Sequence, residues 1–343
     1  MRFFILGAGN TGKAYSAYLI SKGQEVTLYD RNPDRLSPLR ARQLRASGAV
    51  SGEFCPALTD RLDGAGDCDV ILVCTVAGGH RPLAAALKGS LSPGQLVLVT
   101  NGCWGAVEFD QELGVEADEK GCVLAETGGQ LILCSSPSPW EVYVKTIKKS
   151  MVLSCVHPWQ TAEVLEQLKD IFSQFVSGHS VLDTSLNNSN PVIHAPLVLF
   201  NATRLENGED YLLFGTGVTP KVAEFMEHID NERVAVVRAC GVPPRTELDM
   251  LNAFWPQPQP TLFDVLHNTP AYQVTKGPKT LDHRYLSEDL PYGLVPYLML
   301  GRRLGVDTPY IRALTHMLGL YMGIDFIRLA PDLSDVDFTR YLP

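Results

Sequence analysis

Met1-Arg2-Phe3-Phe4-Ile5-Leu6-Gly7-Ala8-Gly9-Asn10-Thr11-Gly12 is the stretch from which the fold can be read. Residues 2 to 6 form a short apolar run that stops at Gly7. From Thr11 to Ser21 the apolar positions Ala14, Ala17, Tyr18 and Ile20 fit a helix. A second apolar run, 26 to 29, stops at Asp30. The order is strand, glycine turn, helix, strand, with an acid closing the second strand, which is the context a dinucleotide fingerprint requires. Gly7 permits the tight turn, Gly9 lets backbone approach a pyrophosphate, and Gly12 lets the helix pack close to the sheet. Asn10 and Thr11 stand at the helix N-terminus, where unpaired N–H groups and a partial positive charge favour phosphate. Any glycine-rich turn of an α/β protein can match G-x-G-x-x-G alone, so the flanking strands and Asp30 carry the inference.

Asp30 stands where a carboxylate accepts hydrogen bonds from an adenosine ribose and repels a 2′-phosphate, which favours NAD. Arg31, Asn32 and Arg35 beside it could instead hold a phosphate, so NADP stays open. Ligands in such sheets lie beyond the carboxyl ends of the strands. Thr75-Val76-Ala77-Gly78-Gly79-His80 and Thr100-Asn101-Gly102-Cys103 should therefore line the crevice, with Thr75 and Asn101 as its contacts and room for the nicotinamide ribose. Cys103 reads as a wall, since no His lies near it in sequence to activate it.

Outward from this unit, strand-like runs recur at Val70 to Val76, Leu96 to Thr100, Cys122 to Ala125 and Met151 to Cys155. Between them, Pro82 to Leu87 and Thr161 to Phe175 suit helices. Such alternation predicts a mostly parallel sheet covered on both faces. Near residue 184 the pattern changes to helices with start and stop signals: Thr219-Pro220, Gly241 and Thr308-Pro309. The predicted class is α/β, an N-terminal Rossmann-type doubly wound sheet followed by an all-helical C-terminal domain. The expected domains are a dinucleotide-binding one over 1–183 and a helical substrate-binding and catalytic one over 184–343. Two domains are also what 343 residues lead one to expect. Pro256-Gln257-Pro258-Gln259-Pro260 is expected to be a stiff loop between two helices.

Composition narrows the function classes. With 45% apolar and 20% charged residues the chain can bury a large core, and a net charge of −9 argues against nucleic acid and anionic membrane surfaces as partners. The arginines of Arg31 to Arg45 read as one solvated helix face. Eight cysteines without a C-x-x-C pair or a neighbouring His at ligand spacing read as buried thiols, with no metal site. The apolar start is too short for a signal peptide, and no apolar run approaches the roughly 18 residues that span a bilayer. A cytoplasmic location is expected.

Two segments of the second half are rich in groups able to do chemistry. Asn187-Asn188-Ser189-Asn190-Pro191-Val192-Ile193-His194-Ala195-Pro196 starts a helix running towards Arg204, capped by Asn187 or Asn188, with His194 on the side of Val198, Asn201 and Leu205. The other is Leu281-Asp282-His283-Arg284-Tyr285-Leu286-Ser287-Glu288-Asp289-Leu290-Pro291-Tyr292-Gly293-Leu294-Val295-Pro296. A lone helical His is usually structural, Asp289 could cap a helix, and Arg284 could pair with Glu288 one turn on. Glu126 and Thr127, before Gly128-Gly129, are weaker candidates for the same cleft. Asn190 could bind substrate or ribose, or satisfy backbone before Pro191.

Through the glycine fingerprint, N-P-V-I-H-A-P and H-R-Y-x-x-E-D-x-x-x-G-L-V-P, the sequence resembles the opine dehydrogenase family (octopine, nopaline and N-(1-carboxyethyl)-amino-acid dehydrogenases) over almost its whole length. The resemblance implies His194 and Asp289 as a catalytic pair and Arg284 as the holder of a 2-oxo acid's carboxylate. It also implies an NAD(P)H-dependent joining of an amino acid's amino group to a 2-oxo acid through an imine. The residue types suit that chemistry. His alone among unperturbed side chains titrates near neutrality, a carboxylate can hold its tautomer, and a guanidinium matches a carboxylate with two hydrogen bonds. Two alternatives stay open: a reductase of a 2-oxo or 3-hydroxy acid with the same two-domain plan, and a non-catalytic dinucleotide sensor. The apolar segment Tyr310 to Phe326 could pack a second copy as readily as the core, making a homodimer.

Overall fold

A computed structural model describes every residue except Pro256 and Ala271. The chain forms two compact units, Met1–Ser185 with Thr339–Pro343, and Leu186–Phe338. The first is built from β1 (Arg2–Leu6), α1 (Asn10–Ser21), β2 (Glu25–Tyr29), α2 (Pro33–Ala41), β3 (Leu44–Gly48), β4 (Gly52–Phe54), β5 (Ala57–Thr59), β6 (Val70–Val73), α3 (His80–Leu87), β7 (Leu96–Val99), α4 (Gly105–Lys120), β8 (Val123–Thr127), β9 (Ile132–Ser135), β10 (Glu141–Ile147), β11 (Met151–Cys155), α5 (Thr161–Leu168), β12 (Phe175–Ser177) and most of α6 (Val181–Leu186).

Eight strands form one sheet in the order β12-β11-β8-β7-β6-β1-β2-β5, all pairs parallel except β8 with β11. The stretch β5-β2-β1-β6-β7-β8 is the doubly wound order, and its switch point lies between β1 and β6. Every residue of β6 and β7 is buried, as is β1 after Arg2, because central parallel strands are covered on both faces; β2, nearer the edge, alternates. Gly7 sits at the switch point with φ +108°, a left-handed conformation that favours glycine. A Cβ on Gly12 would lie 1.8 Å from the Gly7 carbonyl oxygen, so only glycine allows α1 this close to the turn.

The second sheet, β4-β3-β10-β9, was not legible in the sequence. Helix α1 packs against β2 of the main sheet and against β3, β4, β9 and β10 of the smaller one. That is why it is buried at consecutive positions, Gly12 to Leu19, and shows no clean apolar stripe. The arginine run is likewise more than a helix face: α2 ends at Ala41, Arg42 lies over the Trp140 ring, and Arg45 on β3 pairs with Glu141. Helical structure expected from Thr161 to Phe175 stops at Leu168, and Phe175 begins edge strand β12. The last residues return to the first unit, where Arg340 makes two 2.9 Å bonds to Asp110 on α4 and the Tyr341 hydroxyl adds one of 2.8 Å.

The second unit is helical: α7 (Asn190–Phe200), α8 (Ala202–Glu206), α9 (Pro220–Ala239), α10 (Glu247–Phe254), α11 (Leu262–Asn268), α12 (Arg284–Ser287), α13 (Val295–Leu304), α14 (Pro309–Met322) and α15 (Phe326–Leu329). Its strand-like pairing among the described residues is a lone bridge between Leu212 and Lys276. The Thr219-Pro220 start and the Gly241 stop, at φ +77°, are as expected. The single helix expected from Asn190 towards Arg204 is divided at Asn201, whose amide donates to the Leu197 and Gly217 carbonyls and draws the backbone out of the helix. Between α10 and α11, Asn252 exchanges two hydrogen bonds with the backbone of Gln259, pinning the proline-rich loop, whose first residue, Pro256, lies outside the described residues. Among the described residues no helix is long and apolar enough to cross a membrane, and no group of three His, Cys, Asp or Glu could hold a metal ion.

One contact sets the seating of α7. A Cβ on Gly293 would lie 2.2 Å from Cγ of Pro191, so the two segments meet where one has no side chain and the other a rigid ring. Gly293→Ala is therefore expected to lower the unfolding free energy by about 1–3 kcal/mol, the usual cost of overpacking. Urea denaturation of the two proteins measures it, and an unchanged midpoint would show that the segments can separate freely.

Candidate active site

In the first unit the glycine turn has the properties of a dinucleotide site. No side chain caps α1, and its first turn contains no acid. A Cβ on Gly9 would meet nothing within 4 Å, so this side of the turn is open to an approaching phosphate. Asp30, 5% exposed, accepts the Ala8 N–H on Oδ2 at 3.0 Å and the Asn32 N–H on Oδ1 at 3.0 Å, with Arg35 at 3.6 Å. The acid that ends β2 thus holds the glycine turn itself. A carboxylate has about four acceptor positions, which leaves room for ribose hydroxyls. Arg31 next to it is exposed. These residues fit a nicotinamide dinucleotide.

Thr75 follows β6 beside the turn, its Cγ2 lying 3.2 Å from where a Cβ of Gly7 would be. Asn101 follows β7 and opens a run of left-handed residues: φ is +86° at Asn101, +53° at Gly102, +58° at Cys103 and +67° at Trp104. Three of these are not glycine, and each costs about 1 kcal/mol or more. The turn persists because its surroundings hold it. Thr127 Oγ1 accepts the Asn101 N–H at 3.0 Å, Ser185 Oγ accepts that of Trp104 at 2.9 Å, and Glu126 Oε2 accepts that of Ala106 at 2.9 Å. Glu126 is fully buried, and its Oε1 accepts from the Thr184 hydroxyl and, at 2.7 Å, from Ser185. Burial raises its carboxyl above the ordinary range. Glu126 and Thr127, expected to face a cleft, instead hold the turn from which Asn101 projects. Cys103 is buried within that turn.

In the second unit, His194 lies one turn into α7 and Asp289 follows α12. The structure brings them together: Nδ1 of His194 is 2.7 Å from Oδ2 of Asp289, and their side chains are 14% and 6% exposed. A carboxylate only accepts, so Nδ1 carries the proton and Nε2 is the nitrogen not engaged by Asp289. After Asp289 the chain makes a π-helical turn, Leu290–Leu294, with the Leu294 N–H bonded to the Asp289 carbonyl at 3.0 Å. Asp289 stands at the N-cap of this turn without capping it through its side chain.

Arg284 opens α12 half-exposed, its Nε 3.3 Å from Glu288. The ion pair one turn on, weighed as an alternative in the sequence, is therefore present; it engages one edge of the guanidinium. Asn190 is the first residue of α7, and its N–H is held by Asn188 Oδ1 at 3.1 Å. Neither expected cap stands at the N-cap, which is Ser189; Asn188 precedes it, and Asn187 turns inward to Pro243 and Arg233. Sequence reasoning assigned nothing to Tyr285, whose ring stacks on His194 with centroids 3.7 Å apart, or to His283, whose ring meets the other aromatic at 4.3 Å. Burial and the neighbouring Arg284 and His194 lower the His283 imidazole from its ordinary value. Both stand in the H-R-Y motif, where their closeness to Arg284 was the available signal.

The chain is similar to known proteins over most of its length. Residues 177–322 match the family model described as NAD/NADP octopine/nopaline dehydrogenase, alpha-helical domain, and residues 3–116 match that of ketopantoate reductase PanE/ApbA. An opine dehydrogenase of Arthrobacter sp. (strain 1C) is 33% identical over 329 residues, covering 94% of this chain and 91% of that protein. Octopine dehydrogenase solved with NADH and L-arginine has the same fold, with a TM-score of 0.81 at 17% identity over 99% of this chain and 94% of that one. Yersinopine dehydrogenase with NADP+ bound follows at 0.77 and 16%, over 96% and 92%. The chain belongs to the opine dehydrogenase family, NAD(P)-dependent oxidoreductases that act on CH–NH bonds.

Proposed function

We propose that His194 is the proton-transfer residue of a reductive condensation between an amino acid and a 2-oxo acid, with Asp289 holding its imidazole and Arg284 binding the oxo acid's carboxylate. The observation that carries this is the 2.7 Å His194–Asp289 bond between residues 95 positions apart. With Nδ1–H donated to Asp289, Nε2 takes a proton from the incoming ammonium, and the freed amine attacks the oxo carbon. The imidazolium so formed is stabilised by the Asp289 carboxylate and returns the proton to the hydroxyl, which leaves as water as the imine forms. Tyr285 keeps the imidazole plane fixed by stacking. Arg284 offers the fork of donors that a carboxylate matches, and Asn190, one turn before His194, offers an amide for the same substrate. The bound nicotinamide supplies the hydride that reduces the imine.

Gly7, Gly9, Asn10, Thr11 and Gly12 bind the pyrophosphate, Asp30 the adenosine ribose, and Thr75 and Asn101 the nicotinamide half. Glu126 and Thr127 act by holding the Asn101 turn. NAD is favoured over NADP because the carboxylate of Asp30 at the end of β2 is buried and hydrogen-bonded, whereas Arg31 is an exposed side chain. Family membership removes the sensor alternative. A simple 2-oxo acid reductase differs in one observable way, since it needs no amine.

The direct test is NADH oxidation with pyruvate, glyoxylate and 2-oxoglutarate, each with and without the common L-amino acids. Oxidation that depends on the amine supports the condensation, and equal rates with the oxo acid alone would overturn it. His194→Ala and Asp289→Asn should each lower kcat by roughly 10²–10⁴-fold while the Kd for NADH stays within about two-fold. Turnover surviving in His194→Ala would remove that residue from the mechanism. Asp30→Asn keeps the acceptor for Ala8 and drops the charge, so the NADH-to-NADPH affinity ratio should fall by about tenfold, some 1.4 kcal/mol. An unaltered ratio would place the discrimination elsewhere.

A further inference from the structure

Behind α7 lies a buried ionic cluster that the proposed chemistry does not use. Arg233, on α9, is wholly buried. Its guanidinium donates to Asp230 Oδ1 at 2.9 Å, the Leu186 carbonyl at 3.1 Å and Asn187 Oδ1 at 3.2 Å, and also to the Arg245 carbonyl. Asp230 Oδ2 accepts the backbone N–H of Glu247 at 2.7 Å. Glu247, 1% exposed at the start of α10, accepts the Ser189 hydroxyl on Oε1 at 2.8 Å. The residues so held, Leu186, Asn187 and Ser189, are the approach to α7. Ser189 directly precedes the helix, and His194 lies one turn beyond its first residue.

We propose that Glu247, acting through Ser189, is a positioning residue for His194: its carboxyl fixes where α7 begins and so the direction in which the His194 ring leaves the helix. This rests on the reading of His194 as the proton-transfer group. A helix free to start one residue earlier or later, or to rotate about its axis, moves its side chains by more than the fraction of an ångström that proton transfer tolerates. Pro191 and Gly293 fix one side of the helix, and Ser189 with Glu247 fixes its start. The groups around Glu247 are Asp230 and Arg233 from α9, Ser189 from the approach to α7, and Tyr272 from the segment after α11. Burial, with the Asp230 carboxylate beside it, pushes the Glu247 carboxyl up to about 8, against the pull of Arg233. At neutral pH it is therefore mostly protonated. Above that value a second carboxylate stands beside Asp230 before one guanidinium, and the acceptor of the Ser189 hydroxyl becomes charged, so the hold on that segment changes as Glu247 ionises.

NMR titration of the His194 imidazole in the whole protein, its signal assigned by its loss in His194→Ala, requires no knowledge of the substrate. Glu247→Ala and Ser189→Ala should each displace the ring signal and move its titration midpoint by about half a pH unit or more. Glu247→Gln, which keeps the acceptor and is neutral at every pH, should restore both and remove a second inflection expected near pH 8 in the unaltered protein. Ser189→Ala deletes one hydroxyl and serves if Glu247→Ala does not fold. An unmoved His194 signal in folded Glu247→Ala or Ser189→Ala overturns the proposal, as does Gln behaving like Ala. If the signal moves as expected while His194→Ala still turns over, the role of His194 fails and the positioning contact stands; the reverse pair of results separates them the other way.

Discussion

Removing an ionisable side chain from water costs several kcal/mol unless hydrogen bonds replace the lost solvent, and this chain meets that demand by directing its buried acids at backbone that would otherwise be loose. Asp30 ties the end of β2 to Ala8 of the glycine turn. Glu126 ties β8 to the start of α4, and Asp110 gathers Arg340 and Tyr341 from the C-terminus. In the helical unit Asp230 and Arg233 secure the approach to α7. Each acid connects segments far apart in sequence, so the geometry of the loops follows from the satisfaction of a few charges.

The same constraint accounts for the strained turn at Asn101–Trp104. Left-handed backbone at non-glycine residues does not persist by itself, but the donors it exposes are taken by Thr127, Ser185 and Glu126, all buried, so relaxation would leave buried acceptors without partners. His194 shows the same constraint, its imidazole held by Asp289 on one nitrogen and by the Tyr285 ring on its face.

Much of this was legible in the chain. Strands such as Val-Ile-Leu-Val at 70–73 and Leu-Val-Leu-Val at 96–99 are recognisable because a central parallel strand is apolar on both faces. Strands such as Gly-Glu-Phe at 52–54 or Leu-Arg-Ala-Ser-Gly at 44–48 carry no such pattern, since most of their residues are exposed in a small sheet that asks little of them. Helix α1 lacks an apolar stripe because two sheets cover it, which no window of its own sequence could reveal. Glu126 illustrates a different limit. An acid at a strand end can face a ligand or turn inward, and only its partners at Ala106, Thr184 and Ser185 decide which.

The order of elements in the first unit, the glycine turn and the residue types able to move a proton or grip a carboxylate were determined by the sequence alone, because they depend on local periodicity, on backbone freedom at single glycines and on intrinsic acidity. The meeting of His194 with Asp289, the stacking of Tyr285, the inward turn of Glu126 and the cluster behind Ser189 were decided by the tertiary structure. They depend on which distant segments are pressed together, as Gly293 is against Pro191, and that is a property of packing rather than of any stretch of chain.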